Sequence, residues 1–177
     1  MEISEIIRKI SVKKGDITKE KADAIVNAAN PTLLGGGGVD GAIHRAAGPG
    51  LLEECRTLDG CRHGEARITK GYNLPAKFVI HTPGPIYNDG RHGEADTLRN
   101  SYYNSMKLAK DNNFKSIVFP AISTGVYGYP KIEGAEIAVK TVVDFIMNEK
   151  YLIEVIFIQF DNENFEIYNK LLEGMKK

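Results

Sequence analysis

The sequence predicts an α/β domain built on a largely parallel β-sheet with helices on both faces. Three observations carry that expectation. Short β-branched or aromatic apolar runs alternate along the chain with longer amphipathic stretches. Each short run is bounded by polar or turn residues. Two glycine-rich segments fall between such a run and a stretch of helical periodicity. Open α/β sheets bind ligands in that region, outside the carboxyl ends of their strands.

In chain order, Ala24-Ile25-Val26, Phe78-Val79-Ile80, Ser116–Phe119 and Val155–Ile158 read as buried strands. Ile10–Lys13 and Glu65–Lys70 are less sharply patterned strand candidates. Apolar spacing predicts helices over Val39–Ala47, Leu51–Leu58, Ala95–Asn112, Gly134–Asn148 and Glu163–Glu173. Pro49-Gly50 is expected to separate the first two, and Asn112-Asn113 and Asn148-Glu149-Lys150 to end two later ones.

The 177 residues read as one domain, 1–177, without linker or low-complexity segment. A chain of this size buries roughly 70% of its unfolded surface and needs no staples. Lys plus Arg balance Asp plus Glu at 23 each. That excludes a general nucleic-acid-binding surface but not a nucleotide held by backbone amides. Cys55 and Cys61 make no disulfide framework, and both are expected reduced, in a cytoplasmic protein. No apolar run reaches the ~18 residues of a membrane span, and Met1–Glu5 lacks the regions of a signal peptide. Arg-His-Gly-Glu-Ala occurs at 62–66 and again at 91–95. One copy enters a strand and the other a helix, so the pair reads as coincidence rather than a repeat architecture.

The run Gly35-Gly36-Gly37-Gly38 costs backbone entropy and packs nothing. A fold tolerates it where bare backbone must approach something. It leads into a helix expected to open at Val39 and Asp40, and amides at a helix N-terminus favour an anion. Gly36-x-Gly38-x-x-Gly41 matches the dinucleotide fingerprint literally, but Asn27 to Leu34 separate it from the strand. A P-loop is excluded because Val39-Asp40-Gly41 replaces Gly-Lys-Ser/Thr. The second cluster, Ala121–Pro130, offers the hydroxyls of Ser123 and Thr124 and the amides around Gly125 and Gly128. Two such loops suit a diphosphate, although each alone could be only a tight turn.

Asp40 at a helix start is expected to be ionised, an orienting acceptor more than a base. The alternative is a helix-capping Asp. His44 shares its face one turn on. Asn30, before Pro31, could read adjacent hydroxyls or merely make a turn. Asp16, in Gly15-Asp16-Ile17-Thr18, could accept from an exocyclic amine or cap a turn. Phe160 could stack on a base or fill the core. Cys55, Cys61, His63 and His92 lack metal-site spacing, so no metal or other cofactor is expected.

These segments together resemble the macrodomain family, specifically its MacroD-type branch, from about Lys13 to Leu172. The resemblance rests on Gly15–Thr18, Val26–Asn30, Gly35–His44, Gly64-Glu65-Ala66, Ile80-His81-Thr82 with Gly84-Pro85, and Pro120–Gly128, in that order. It implies a three-layer α/β/α sandwich around a mixed, mainly parallel six-stranded sheet. It also implies that the cleft binds ADP-ribose. Asp16 and the amide of Ile17 would then take the adenine, with Phe160 beside the ring. Ser123, Thr124, Gly125 and Val126 would wrap the diphosphate, with Gly37, Gly38 and Val39 opposite. Asn30 and Asp40 would flank the distal ribose, Tyr127 would close over it, and His44 would support Asp40.

The activity so implied is hydrolysis of acyl esters on the distal ribose. Its substrates would be O-acetyl-ADP-ribose and proteins mono-ADP-ribosylated on acidic side chains. A non-catalytic ADP-ribose reader and an ADP-ribose 1″-phosphate phosphatase are the alternatives. Pro83 departs from the family pattern, which usually has valine there, and is expected to stiffen the segment before Gly84.

Overall fold

The computed structural model describes residues 1–177. Six strands, β1 (Ile10–Lys14), β2 (Ala24–Ala28), β3 (Arg67–Lys70), β4 (Phe78–Thr82), β5 (Ser116–Phe119) and β6 (Glu154–Gln159), form one sheet in the order β1-β6-β5-β2-β4-β3. All neighbours are parallel except β3, an antiparallel edge strand on β4. The sheet is therefore mixed, and β3 is shorter than expected because Glu65 and Ala66 remain outside it.

The helices are α1 (Ile3–Arg8), α2 (Gly38–Ala47), α3 (Pro49–Thr57), α4 (Glu94–Asp111), α5 (Lys131–Glu149) and α6 (Asn162–Met175). Strand alternation divides the core in two. Val26, Ile80, Ile117, Phe119, Val155 and Phe157 pack against α1, α4, α5 and α6. Ile25, Val79, Val118 and Ile158 face Ile43, Ala47, Leu51 and Cys55 of α2 and α3. That is the period-2 logic of strands applied to three layers. No helix is long and apolar enough to cross a membrane.

Two local expectations are corrected. The break between α2 and α3 is Gly48 (φ 81°), not Pro49-Gly50. Pro49 opens α3, where its missing N–H is no loss. Helix α1 was not anticipated, since six residues give less than two turns of periodicity.

The arrangement places the site. β2 and β5 are adjacent at the centre of the sheet, yet the chain leaves β2 toward β4 and β3, and leaves β5 toward β6. Both glycine-rich loops leave the carboxyl ends of these two strands, at a topological switch point.

Candidate active site

A cavity of about 520 Å³ opens at that switch point. Of the anticipated residues, Asp16, Ile17, Gly38, Val39, Thr124, Gly125 and Phe160 line it. Asn30, Gly37, Asp40, His44, Ser123, Val126 and Tyr127 do not. Gly15, Ala42, Arg45, Lys131, Gln159, Asp161 and Asn164 are among the lining residues that sequence reasoning missed. Arg45 could have been found, since it continues the helical face of Gly38 and Ala42. Gln159 and Asn164 carried no such signal.

At one end, Asp16 caps the single 3₁₀ turn Ile17–Lys19. Its Oδ1 accepts the N–H of Thr18 at 2.9 Å and the Thr18 hydroxyl at 2.7 Å. These bonds, the hydroxyl's first, hold its carboxyl below the usual range, against a weaker effect of burial. Oδ2 has no partner within the chain. Asp16 is thus both a turn cap and a free ionised acceptor. Phe160 is 85% exposed, which excludes the core-aromatic alternative.

In the middle, Gly37 is the N-cap of α2, with extended backbone and no side-chain cap. The N–H groups of Gly38 and Val39 donate to nothing in the chain, as expected of a first helical turn. Opposite them, the loop after β5 closes on itself through Gly128 N–H to Gly125 O (2.9 Å) and Tyr129 N–H to Ser123 O (2.8 Å). The amides of Thr124, Gly125, Val126 and Tyr127 remain without acceptors. Ser123 has left-handed backbone (φ 66°), and its buried hydroxyl is unpaired, so the side chain does not reach the cavity. Gly84 packs directly beneath it, where a Cβ would overlap Ser123 Oγ and Ile122 Cγ2. Pro83 is buried behind this contact, and its carbonyl accepts the Gly64 N–H at 2.7 Å. It does not line the cavity.

Beyond the glycines lies the buried Asp40. It is the third residue of α2 and not its cap, because the helix starts earlier, at Gly38. Asn27 Nδ2 donates to its Oδ1 at 2.8 Å. His44 Nε2 lies 3.4 Å from the same oxygen, on the face anticipated, but outside hydrogen-bond geometry. Asp40 Oδ2 and Asn30 Nδ2 both border Gly36, at 3.2 and 3.3 Å from where its Cβ would stand. Asn30 is tied down on both sides of its amide. Nδ2 donates to Gly35 O at 2.8 Å, and Oδ1 accepts the Thr32 N–H at 3.0 Å. The Tyr127 ring stands 6.1 Å from that of His63.

The arrangement is an acceptor and an exposed aromatic in the cavity wall, free amides from both glycine-rich loops, and, behind the glycine run, a buried carboxylate held by Asn27. Residues 26–138 match the Macro domain family. The O-acetyl-ADP-ribose deacetylase of Escherichia fergusonii is 56% identical over 168 residues, covering 93% of this chain and 95% of that protein. The Oceanobacillus iheyensis macrodomain with ADP superposes with a TM-score of 0.88 at 45% identity, covering 93% of this chain and 90% of that one. The Trypanosoma brucei macrodomain in complex with ADP-ribose gives a TM-score of 0.89 at 44% identity, covering 95% of this chain and 71% of that one. Fold, motif order and these relatives agree, and the chain belongs to the macrodomain family.

Proposed function

We propose that the protein binds ADP-ribose in this cleft and hydrolyses acyl esters of the distal ribose, as in O-acetyl-ADP-ribose. The observation that carries the reading is the position of Asp40. A buried carboxylate with one oxygen held by Asn27 and the other, like Asn30 Nδ2, beside Gly36 suits the orientation of a water, next to amides suited to a diphosphate. Adenine would meet Asp16 Oδ2 and the face of Phe160.

The water oxygen bonds to the acyl carbon, and the bond from that carbon to the ribose oxygen breaks. One proton of the water passes to Asp40 or to a diphosphate oxygen of the substrate and from there to the departing ribose oxygen, which leaves as a hydroxyl, while the acyl group leaves as the carboxylic acid. The same chemistry removes mono-ADP-ribose from an esterified acidic side chain of a protein, which we include as a second substrate class.

Turnover of O-acetyl-ADP-ribose and of a glutamate-linked mono-ADP-ribosylated protein by wild type and Asp40→Ala tests this, with ADP-ribose affinity measured by calorimetry. A fall of about 10²–10⁴ in rate with binding retained is expected. Wild-type binding without release of either product would make the domain a reader instead.

A further inference from the structure

Beneath Asp40 runs a line of buried polar side chains that the proposed chemistry does not itself use. Asn27 of β2 and His81 of β4 are register partners in the parallel pair. They occupy the sheet face that Ile25 and Val79 occupy two residues earlier. Both are fully buried, as is the neighbouring Thr69 of β3 at 2% exposure. Asn27 Nδ2 lies 2.8 Å from Asp40 Oδ1 and 3.2 Å from His81 Nδ1. On the other edge of the ring, His81 Nε2 is 2.9 Å from Thr69 Oγ1.

The hydrogen-bond senses follow from the carboxylate. Asn27 must present Nδ2 to Asp40, since its oxygen there would repel. The second Nδ2 hydrogen then meets His81 Nδ1, which has to be the bare nitrogen, leaving the hydrogen on Nε2 for Thr69. Burial first, and then the proximity of His44, lower the ring's pKa to about 3, so it stays neutral. Asn27 Oδ1 is buried without a partner. The orientation of the amide is therefore held only by Asp40 on one side and His81 on the other. Apolar residues at these positions would avoid the desolvation of an amide, an imidazole and a hydroxyl.

We infer that His81 is a positioning residue: fixed by Thr69, it orients the Asn27 amide, and Asn27 holds Asp40 in place for the reaction. The inference rests on the reading of Asp40 given above.

Steady-state turnover of O-acetyl-ADP-ribose and ADP-ribose affinity are measured on folded His81→Leu, His81→Asn, Thr69→Val and Asp40→Ala. His81→Leu is expected to lower kcat by about 10–100-fold while ADP-ribose affinity is unchanged, the pattern of a misplaced catalytic group. His81→Asn, whose Oδ1 replaces Nδ1 as acceptor, is expected to recover most of that loss. A wild-type kcat in His81→Leu overturns the inference. So does a loss of kcat and affinity together that Asn does not rescue, which is what a merely structural histidine would give. If His81→Leu does not fold, Thr69→Val carries the test, with lowered kcat at unchanged affinity expected and wild-type kcat overturning it. Full turnover by Asp40→Ala overturns the reading of Asp40 and this inference with it. An inactive Asp40→Ala beside a fully active His81→Leu overturns this inference alone.

Discussion

Gly41 in the second turn position of α2 packs its Cα against the carbonyl of Gly36, so closely that a Cβ would overlap that oxygen. The contact locks the helix start to the glycine run, together with the bond from Gly41 N–H to Gly37 O at 3.2 Å. It sets where the free amides of Gly38 and Val39 point, and where Gly36 leaves room between Asp40 and Asn30.

Gly41→Ala is therefore expected to push the loop off the helix. The destabilisation should be about 1–3 kcal/mol, the usual cost of overpacking. ADP-ribose affinity should fall by more than stability does, because the displaced atoms are the amides proposed to hold the diphosphate. Thermal melts with and without ADP-ribose check this: the ligand-induced rise in Tm should shrink or vanish. A variant that melts lower but keeps the full rise would show that the loop position does not matter for binding.

Asp16 divides its two oxygens between the fold and the cleft. Asp16→Asn can still cap Thr18 through its oxygen, but then turns an N–H₂ donor toward the adenine amine. Loss of a bond to a charged acceptor is worth about 1.5–3 kcal/mol, so affinity should fall roughly 10- to 150-fold with little change in Tm. The carboxyl's lowered pKa sets the pH dependence. Its ionised form persists to lower pH than that of an ordinary aspartate, so the Asp16 contribution to affinity should be lost only at a pH below the usual aspartate value. Calorimetric titrations of ADP-ribose from neutral pH to below that value, on both proteins, measure the effect. Equal affinities at neutral pH would remove Asp16 from adenine recognition.

Phe160 offers the reverse dissociation of binding from stability. An aromatic side chain at 85% exposure contributes little packing, so Phe160→Ala should change stability by less than about 0.5 kcal/mol. As a base-stacking surface it should cost about 1–3 kcal/mol of ADP-ribose affinity. Ribose 5-phosphate, which lacks the base, should bind wild type and variant alike. An affinity loss shared by both ligands would point to a general disturbance of the cavity instead.

How far this was legible in the sequence depends on the range of the interaction concerned. Ser116–Phe119 is the strand anticipated residue for residue, because a β-branched and aromatic run with sharp flanks is a local signal. The edge direction of β3 was not, since the chain pattern of a short strand is the same in either direction and only pairing with β4 decides it. Asp40 was singled out as a candidate site residue at the start of its helix, yet it is the third residue of a helix that opens at Gly38, because caps depend on the φ and ψ of preceding glycines that pattern cannot read. Asn27 and His81 were visible as polar residues closing the apolar runs Ile25-Val26 and Val79-Ile80. Their partnership was not, because it exists only once the parallel register sets them side by side beneath α2.

The second copy of the repeated pentapeptide yields a prediction about stability. Glu94 opens α4 and is buried, and its carboxylate gathers the loop before it. Oε2 accepts the N–H groups of Asn88 (3.0 Å), Asp89 (3.2 Å) and Gly90 (2.9 Å), and Oε1 that of His92 (2.6 Å). Desolvation alone would raise its pKa, but the backbone donors outweigh it and bring the value down to about 2 from an ordinary 4.5. The folded state therefore binds this proton less readily than the unfolded chain does. The resulting stabilisation is complete above about pH 4.5 and disappears as pH falls toward 2. Glu94→Gln cannot accept four N–H bonds and brings donors of its own, so it should be clearly less stable at neutral pH. Urea melts of both proteins from pH 7 to pH 2 read the difference. The gap in midpoint should hold constant down to about 4.5 and close below it, as wild type loses what the variant never had. A gap that persists unchanged through the acid range would mean that the carboxylate's charge is not what orders the loop.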